Sequence, residues 1–247
     1  MTGWLVVVGT GPGKPELMTP ATRAALADAT DLVGYGPYLD RVQTLRGDQC
    51  RHASDNRVEL DRARHALALA ASGRRVAVVS GGDPGVFAMA AAVFEAVEVG
   101  DPAWRTLDIR VEPGVTAMLA AAAEVGAPLG GDFCAISLSD NLKSWEIIER
   151  RLKAAAEADF VIALYNPASK ARPHQLGEAF KLLRGVKAAD TPVLFVRAAG
   201  SSDAKVFATT LADADGAQAD MRTLVIVGAS TTRQVGRWIY TPRGARP

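Results

Sequence analysis

The sequence predicts an α/β protein made of two α/β domains with mainly parallel sheets. Short, apolar, β-branched runs alternate with alanine- and leucine-rich amphipathic segments along the 247 residues. Most of these runs are continuously apolar, which is typical of strands that helices cover on both faces. Hydrophobic residues make up 49% of the chain and charged residues 22%, enough apolar material for a sizeable core. The length fits one large α/β domain or two smaller ones.

The apolar runs predict strands in both halves of the chain. Each run ends in a glycine, a proline or a polar residue, and an amphipathic segment usually follows it. This alternation of strand and helix favours parallel pairing. The predicted strands cover residues 4–8, 31–34, 76–80, 109–112, 134–138, 160–165, 193–197 and 223–227.

Three helices have clear sequence signals. Thr19 followed by Pro20 predicts a helix start, with a capping hydroxyl and then proline at the first helical position. Residues 59–72 place leucines and alanines on one stripe, and residues 145–156 do the same with their charges on the opposite face. We therefore expect amphipathic helices over these segments.

The domain boundary is expected where the fourth predicted strand runs into the letters PGVTA. An α/β unit precedes this point and another follows it. We therefore predict domains over residues 1–115 and 116–247, with a cleft between them in which a ligand could bind.

Charge and composition exclude several classes of protein. The formal net charge is only +1, which disfavours nucleic-acid binding. The apolar run near the N-terminus is far shorter than the ~20 residues of a membrane span, so no membrane association is expected. Cys50 and Cys134 lie far apart without metal-type spacing and predict free thiols in the cytoplasm. The histidines are scattered, so no metal site is predicted.

The glycine cluster GTGPGKP follows the first strand but does not match a nucleotide motif. The dinucleotide fingerprint needs a glycine where this chain has Lys14, and Pro12 removes an amide that would hold a pyrophosphate. A phosphate-binding loop is also excluded, because Lys14 is followed by Pro15 and not by serine or threonine. A tight strand-to-helix turn remains the alternative for this cluster.

Four interruptions occur at the carboxyl ends of predicted strands, at residues 9–13, 81–84, 113–117 and 165–167. Ligands of open α/β folds bind beyond these strand ends. Backbone groups at such an edge, with few side chains, suit a ligand that has adenine, ribose and an amino-acid end. Ordinary turns remain alternatives, with Thr116 as a helix cap and an Asn-Pro turn at Asn166.

The ordered set GTGPGKPELMT, SGGDPGVF, PGVTAMLAAAAEVGAPLGGDF and LYNP resembles the tetrapyrrole methylases, which use S-adenosylmethionine. Further stretches are similar to the family members that methylate precorrin-3B at C-17, and they span both halves of the chain. These stretches are VGYGPYLD, FCAISLSDNL, WEIIERRL, FVIALYNPASKARPHQL, DMRTLVIVGAS and YTPRG. The resemblance covers essentially the whole chain and implies a homodimer.

The resemblance implies S-adenosyl-L-methionine as cofactor, held largely by backbone groups. Carried over position by position, the implied contacts are Pro12, Gly82, Asp83, Val86, Phe87, Thr116, Ala117, Tyr165, Asn166, Ala198, Thr223 and Leu224. The glycines of SGGDPGVF are then expected to let the backbone approach the cofactor closely.

The implied reaction is methylation of precorrin-3B at C-17 with ring contraction to precorrin-4, in cobalamin biosynthesis. Another precorrin position, a nicotinamide-dependent oxidoreductase and a non-catalytic tetrapyrrole carrier are the alternatives. The sequence does not identify an acid or base for ring contraction; Asp40, Asp140 and Tyr38 are candidates. Cations that could bind the substrate carboxylates are Arg51, Arg57, Lys143, Lys170 and Arg172.

Two positions depart from the family pattern. Gly131 stands in LGGDF where relatives often have a histidine, and AGSSDAK lacks an arginine and a glutamate that relatives often carry. Both departures concern the expected substrate side.

Overall fold

The computed structural model describes residues 3–42, 46–55 and 58–244. The chain divides into two compact units, Met1–Ala117 and Met118–Pro247. Within the described residues, no helix combines the length and the apolar character needed to cross a membrane.

Unit 1 contains a parallel sheet with the strand order β3-β2-β4-β1-β5. Every pairing between these strands is parallel. The carboxyl ends of the strands therefore lie along one edge of the sheet. The strands are β1 (Trp4–Gly9), β2 (Asp31–Tyr35), β3 (Cys50–Ser54), β4 (Arg75–Ser80) and β5 (Asp108–Glu112).

Helices cover both faces of this sheet. The helices are α1 (Pro20–Asp28), α2 (Gly36–Leu39), α3 (Glu59–Ala71) and α4 (Met89–Val99). Because side chains alternate along a strand, Leu5 and Val7 of β1 pack with α3 and α4, whereas Val6 and Val8 pack with α1 and α2. This two-sided burial explains the continuously apolar strands.

Unit 2 contains a larger mixed sheet and a small one. The larger sheet has the order β10-β9-β11-β8-β7, and the small one has the order β12-β13-β6. The helices α5 (Ala117–Val125), α6 (Trp145–Glu157) and α7 (Gln175–Arg184) complete the unit. The strands are β6 (Gly126–Ala127), β7 (Phe133–Ser137), β8 (Val161–Tyr165), β9 (Pro192–Arg197), β10 (Lys205–Thr210), β11 (Thr223–Val227), β12 (Arg233–Val235) and β13 (Trp238–Tyr240).

The α/β class is confirmed, but the two large sheets differ in strand direction. In unit 2 only β7 and β8 pair in parallel within the larger sheet, and its other pairings are antiparallel. The turn from β9 to β10 is too short for a crossover helix, so these strands must run antiparallel. The parallel prediction therefore holds for the first sheet and for one edge of the second.

The helix predictions are confirmed. Thr19 caps α1, where its hydroxyl accepts a hydrogen bond from the Thr22 amide at 3.1 Å. The helices α3 and α6 begin at the predicted residues, Glu59 and Trp145.

Several strands were not predicted, namely β3, β6, β10, β12 and β13. The strands β3 and β10 lie at sheet edges and are mostly exposed, so they lack the continuous apolar run that marks a buried strand. The other three have only two or three residues each.

Candidate functional site

In unit 1, the three predicted interruptions lie side by side beyond β1, β4 and β5. The backbones of Gly11 and Gly82 exchange two hydrogen bonds, with N···O distances of 3.1 and 2.9 Å. The Gly114 amide donates to Asp83 Oδ2 at 3.0 Å. The glycine-rich loops therefore hold one another through backbone groups.

The glycines of these loops serve two different purposes. A Cβ on Gly9 or Gly114 would lie within 2.7 Å of neighbouring backbone, and a Cβ on Gly81 would lie 2.8 Å from the Tyr38 ring. These three glycines are required by packing within the protein. Gly82 differs, because its Cβ would meet nothing closer than Thr116 Cα at 3.8 Å, and its φ is +65°. A Cβ on Gly82 would therefore make only ordinary van der Waals contact, and the positive φ is what favours glycine at this position.

The Asp83 side chain ties two loops together. Its Oδ1 accepts from the Gly85 amide at 2.8 Å, and its Oδ2 accepts from Gly114. Val86 is half-buried and Phe87 is exposed, with φ +53°. Of the other positions implied by the resemblance, Pro12 and Ala117 are half-buried and Thr116 is buried.

In unit 2, Tyr165 ends β8 and Asn166 follows it. The Tyr165 hydroxyl accepts a hydrogen bond from the Met118 amide at 3.0 Å. Asn166 Nδ2 donates to Ser137 Oγ at 2.9 Å, which links the residue after β8 to the end of β7. Ser137 was not predicted; its signal is a polar residue at the end of the mostly apolar run FCAIS.

The remaining implied contacts meet where β9 ends and β11 begins. The Ala198 amide donates to the Arg222 carbonyl at 2.9 Å. Thr223 and Leu224 are buried at the start of β11 and pair with Arg197 and Val196 of β9. Since β11 lies between β8 and β9, this start is at the same end of the sheet as the carboxyl ends of those two strands.

Backbone strain coincides with the implied contacts. Among the residues that the structure describes, the non-glycine residues with positive φ are Phe87, Asp159, Asn166 and Ala198. Such a conformation costs on the order of 1–3 kcal/mol for a non-glycine residue and concentrates at functional sites. All but Asp159 were implied by the resemblance, and all three follow strand carboxyl ends.

The catalytic candidates occupy different surroundings. Asp40 is exposed and accepts a hydrogen bond from Arg51 at 2.7 Å. The Tyr38 ring lies against Gly81, and Asp140 Oδ1 lies 3.7 Å from Arg172 Nε.

The candidate cations also differ. Arg57 lies outside the described residues, and Lys170 is exposed. Burial, with a smaller effect from Arg151, lowers the pKa of Lys143.

A polar network that the sequence did not predict connects His65, His52, Asp31 and Arg74. The rings of His65 and His52 are hydrogen-bonded at 3.0 Å, so these histidines are not scattered as expected. His52 Nε2 lies 2.9 Å from Asp31 Oδ1, and Arg74 Nε donates to Asp31 Oδ2 at 2.7 Å. Among the described residues, no group of three or more metal-ligating side chains converges.

The departure at Gly131 has a structural consequence. A Cβ there would lie 2.9 Å from Thr241 Cγ2, so a larger residue would displace that side chain. The second departure forms a tight turn, in which the Ser201 amide donates to the Ala198 carbonyl at 3.1 Å.

Comparisons with known proteins agree with the motifs and the fold. The family described as Tetrapyrrole (Corrin/Porphyrin) Methylases matches residues 4–215. A Sinorhizobium protein named precorrin-3B C(17)-methyltransferase is 61% identical over 248 residues, which cover 98% of this chain and 97% of that protein.

Solved structures show the same fold. The crystal structure of the methyltransferase CobJ has a TM-score of 0.94 at 55% identity and covers 97% of this chain and 100% of its own. A Thermus thermophilus uroporphyrin-III C-methyl transferase, complexed with S-adenyl homocysteine, has a TM-score of 0.69 at 21% identity and covers 92% of this chain and 97% of its own. On the strength of the family match and of its 61% identical relative, the chain belongs to the tetrapyrrole methylase family.

Proposed function

We propose that this protein is the S-adenosylmethionine-dependent enzyme that methylates precorrin-3B at C-17, with ring contraction to precorrin-4, in cobalamin biosynthesis. The observation that carries the proposal is the 61% identity to a named precorrin-3B C(17)-methyltransferase over nearly the full length of both proteins. The C-17-type stretches quoted above support it, because they occur in both halves of the sequence.

The cofactor contacts are part of this proposal. In unit 1 they are Pro12, Gly82, Asp83, Val86, Phe87, Thr116 and Ala117, and in unit 2 they are Tyr165, Asn166, Ala198, Thr223 and Leu224. Because Gly82 has no side chain, a ligand could approach its backbone closely. The positive φ of Phe87, Asn166 and Ala198 supports this placement, because strained backbone of this kind concentrates at functional sites. The relative from Thermus thermophilus, named as a complex with S-adenyl homocysteine, supports the choice of cofactor.

When bound, S-adenosylmethionine supplies a methyl group on a positively charged sulfonium, which is already strongly electrophilic. The chain's own contribution is therefore mainly alignment, which can supply a large part of a rate enhancement. The loops are suited to this task. The Asp83 carboxylate accepts hydrogen bonds from the Gly85 and Gly114 amides, and Asn166 is hydrogen-bonded to Ser137. These bonds hold the neighbouring peptide groups in place.

Ligand binding tests the cofactor assignment. We expect S-adenosylhomocysteine to bind with a micromolar dissociation constant in isothermal titration calorimetry, and NAD and ATP to give no signal. Tight NAD binding without a response to S-adenosylhomocysteine would instead favour the oxidoreductase alternative.

Turnover tests the substrate. Purified protein is incubated with S-adenosylmethionine and either precorrin-3B or precorrin-2, and mass and absorbance are followed. We expect precorrin-3B to gain one methyl group and a contracted ring, and precorrin-2 to remain unchanged. Methylation of precorrin-2 alone would move the enzyme to another step of corrin synthesis.

The location and assembly belong to the same proposal. We place the enzyme in the cytoplasm as a homodimer. Cys50 and Cys134 are free thiols, as expected in a reducing compartment. Cell fractionation followed by immunodetection tests the location.

A further inference from the structure

A short turn after β8 carries a group of buried polar atoms. Ser169 and Arg172 exchange two backbone hydrogen bonds of 3.1 and 3.0 Å, which close the turn. The Arg172 side chain is only 14% exposed although it is charged. The turn therefore holds a cation in a mostly dry position.

Four polar atoms around this turn have no hydrogen-bond partner in the described part of the chain. They are Arg172 Nε, Arg172 Nη1, Ser169 Oγ and Gln175 Oε1. Gln175 is 3% exposed. A buried polar atom without a partner is destabilising, so native proteins rarely leave several together. Three of the four atoms, Arg172 Nε, Arg172 Nη1 and Ser169 Oγ, can donate, so they are suited to an external acceptor.

The nearest carboxylate does not complete them. Asp140 Oδ1 lies 3.7 Å from Arg172 Nε, which is too long for a hydrogen bond. Asp140 Oδ2 is bound by Gln175 Nε2 at 3.3 Å. Asp140 and Gln175 also line a cavity of about 380 Å³ together with Trp145, His174 and Glu178. This space adjoins the cluster at Gln175 and at Asp140, the carboxylate that faces Arg172.

The cluster lies near the proposed cofactor contacts of unit 2. Arg172 follows β8, Asp140 follows β7, and these strands are parallel neighbours. The bond between Asn166 and Ser137 joins the residue after β8 to the last residue of β7. A molecule that contacts Asn166 is therefore at the end of the sheet where Arg172 is found.

We propose that Arg172 and Ser169 form a subsite for one carboxylate side chain of the tetrapyrrole substrate. The inference rests on the proposed function, because it takes the substrate to be a carboxylate-bearing macrocycle. Guanidinium and hydroxyl groups are donors for a carboxylate, and such charge-assisted bonds are stronger than neutral ones. Of the cations that the sequence suggested, Arg172 is the one with buried, unsatisfied donors among the described residues.

Binding of a stable probe tests the subsite. The probe is cobyrinic acid, a corrin with free carboxylates, and its heptamethyl ester is the uncharged comparison. Both are titrated in the presence of S-adenosylhomocysteine. We expect Arg172→Ala to weaken binding of the acid by about 10- to 100-fold, which is the worth of a charge-assisted bond. Binding of the ester and of S-adenosylhomocysteine should stay as in the wild type.

Two further variants distinguish binding at this subsite from a non-specific effect of positive charge. Lys181→Ala removes an exposed cation from α7 and should leave binding of the acid unchanged. Ser169→Ala should weaken it by roughly threefold, the lower range for a single hydrogen bond. If Arg172→Ala does not fold by circular dichroism, Arg172→Lys and Ser169→Ala take its place, because each keeps most of the turn.

The subsite is overturned if wild-type protein does not bind the acid, if Arg172→Ala binds it as the wild type does, or if acid and ester weaken equally. The proposed function is tested by different outcomes. Wild-type protein that binds the acid through Arg172 but leaves precorrin-3B unmethylated would refute the reaction and keep the subsite. Turnover of precorrin-3B with an unchanged KM in Arg172→Ala would refute the subsite and keep the reaction.

Discussion

At the scale of single residues, Gly82 differs from the glycines around it. Packing requires glycine at Gly9, Gly81 and Gly114, because protein atoms occupy the space where a Cβ would be. Gly82 has no such neighbour, and it needs glycine only for its φ of +65°. We place the cofactor against the backbone of Gly82.

We therefore expect Gly82→Val to weaken S-adenosylhomocysteine binding at least about tenfold, equivalent to ~1.4 kcal/mol. The valine would fill the space beside the backbone and strain it as well. Isothermal titration calorimetry measures the binding loss, and thermal unfolding measures the strain.

Gly236→Val is the matched control for backbone strain. Gly236 has φ +59°, and no atom lies within 4 Å of its Cβ position. This variant should lose a similar amount of stability and keep its affinity for S-adenosylhomocysteine. Equal affinities of the two variants would contradict the placement of the cofactor at Gly82.

At the scale of elements, buried Asp31 connects the start of β2 to its neighbours. It accepts hydrogen bonds from Arg74, which precedes β4, and lies against His52 of β3. Burial alone would raise the pKa of Asp31, but the hydrogen bonds from Arg74, Thr30 and His52 lower the pKa below its usual 3.8. The ionised carboxylate therefore stabilises this side of the sheet at neutral pH.

We expect Asp31→Asn to lower the free energy of unfolding by about 1–3 kcal/mol at pH 7. A depressed folded-state pKa adds stability above the unfolded-state pKa, and this stability is lost as pH falls through the folded-state pKa. The wild type should thus lose its advantage over the variant below about pH 4. Urea unfolding between pH 7 and pH 3 measures this difference.

Asp48→Asn is the control, because Asp48 is 74% exposed in its pair with Arg46. It should change the free energy of unfolding by less than about 0.5 kcal/mol. A loss at Asp31 no larger than at Asp48 would show that the network adds no stability.

At the scale of the whole molecule, large apolar side chains remain exposed on several elements. Val206 and Phe207 lie on edge strand β10 and are 46% and 47% exposed, and Trp238 of β13 is 48% exposed. Exposed apolar groups of this kind are typical of surfaces that associate.

We expect a symmetric dimer in solution, with twice the 25.9 kDa mass of one chain. Light scattering at micromolar concentration measures the mass. Leu142→Ser is the control for loss of an exposed apolar side chain, because Leu142 is 97% exposed. A mass of 25.9 kDa at every concentration would contradict the dimer.

We also propose residues 1–115 and 116–247 as separate folding domains. The parallel sheet and both cores of unit 1 lie within the first range. A fragment of residues 1–115 should therefore unfold cooperatively on heating, as circular dichroism would show. A fragment without a thermal transition would contradict this division.

The sequence by itself determined the buried framework. Both faces of the strands β1, β4, β8 and β11 are covered, so each strand is a continuous apolar run. Such a run can be recognised from neighbouring residues alone, without knowledge of the fold. The start of α1 also follows from local chemistry, since Thr19 bonds to an amide only three residues away. The family motifs pointed to the same strand ends.

Only the tertiary structure decided which residues meet across long stretches of sequence. Two features depend on pairing with strands that a local sequence pattern does not identify. They are the antiparallel direction of β9, β10 and β11 and the position of β3 at the sheet edge. The same is true of the bond from His65 to His52 and of the unsatisfied atoms at Arg172 and Gln175. Arg172 looks like other surface cations in the sequence. Its burial depends on how the turn folds back, and that burial is what makes an unpaired donor costly and suited to a ligand.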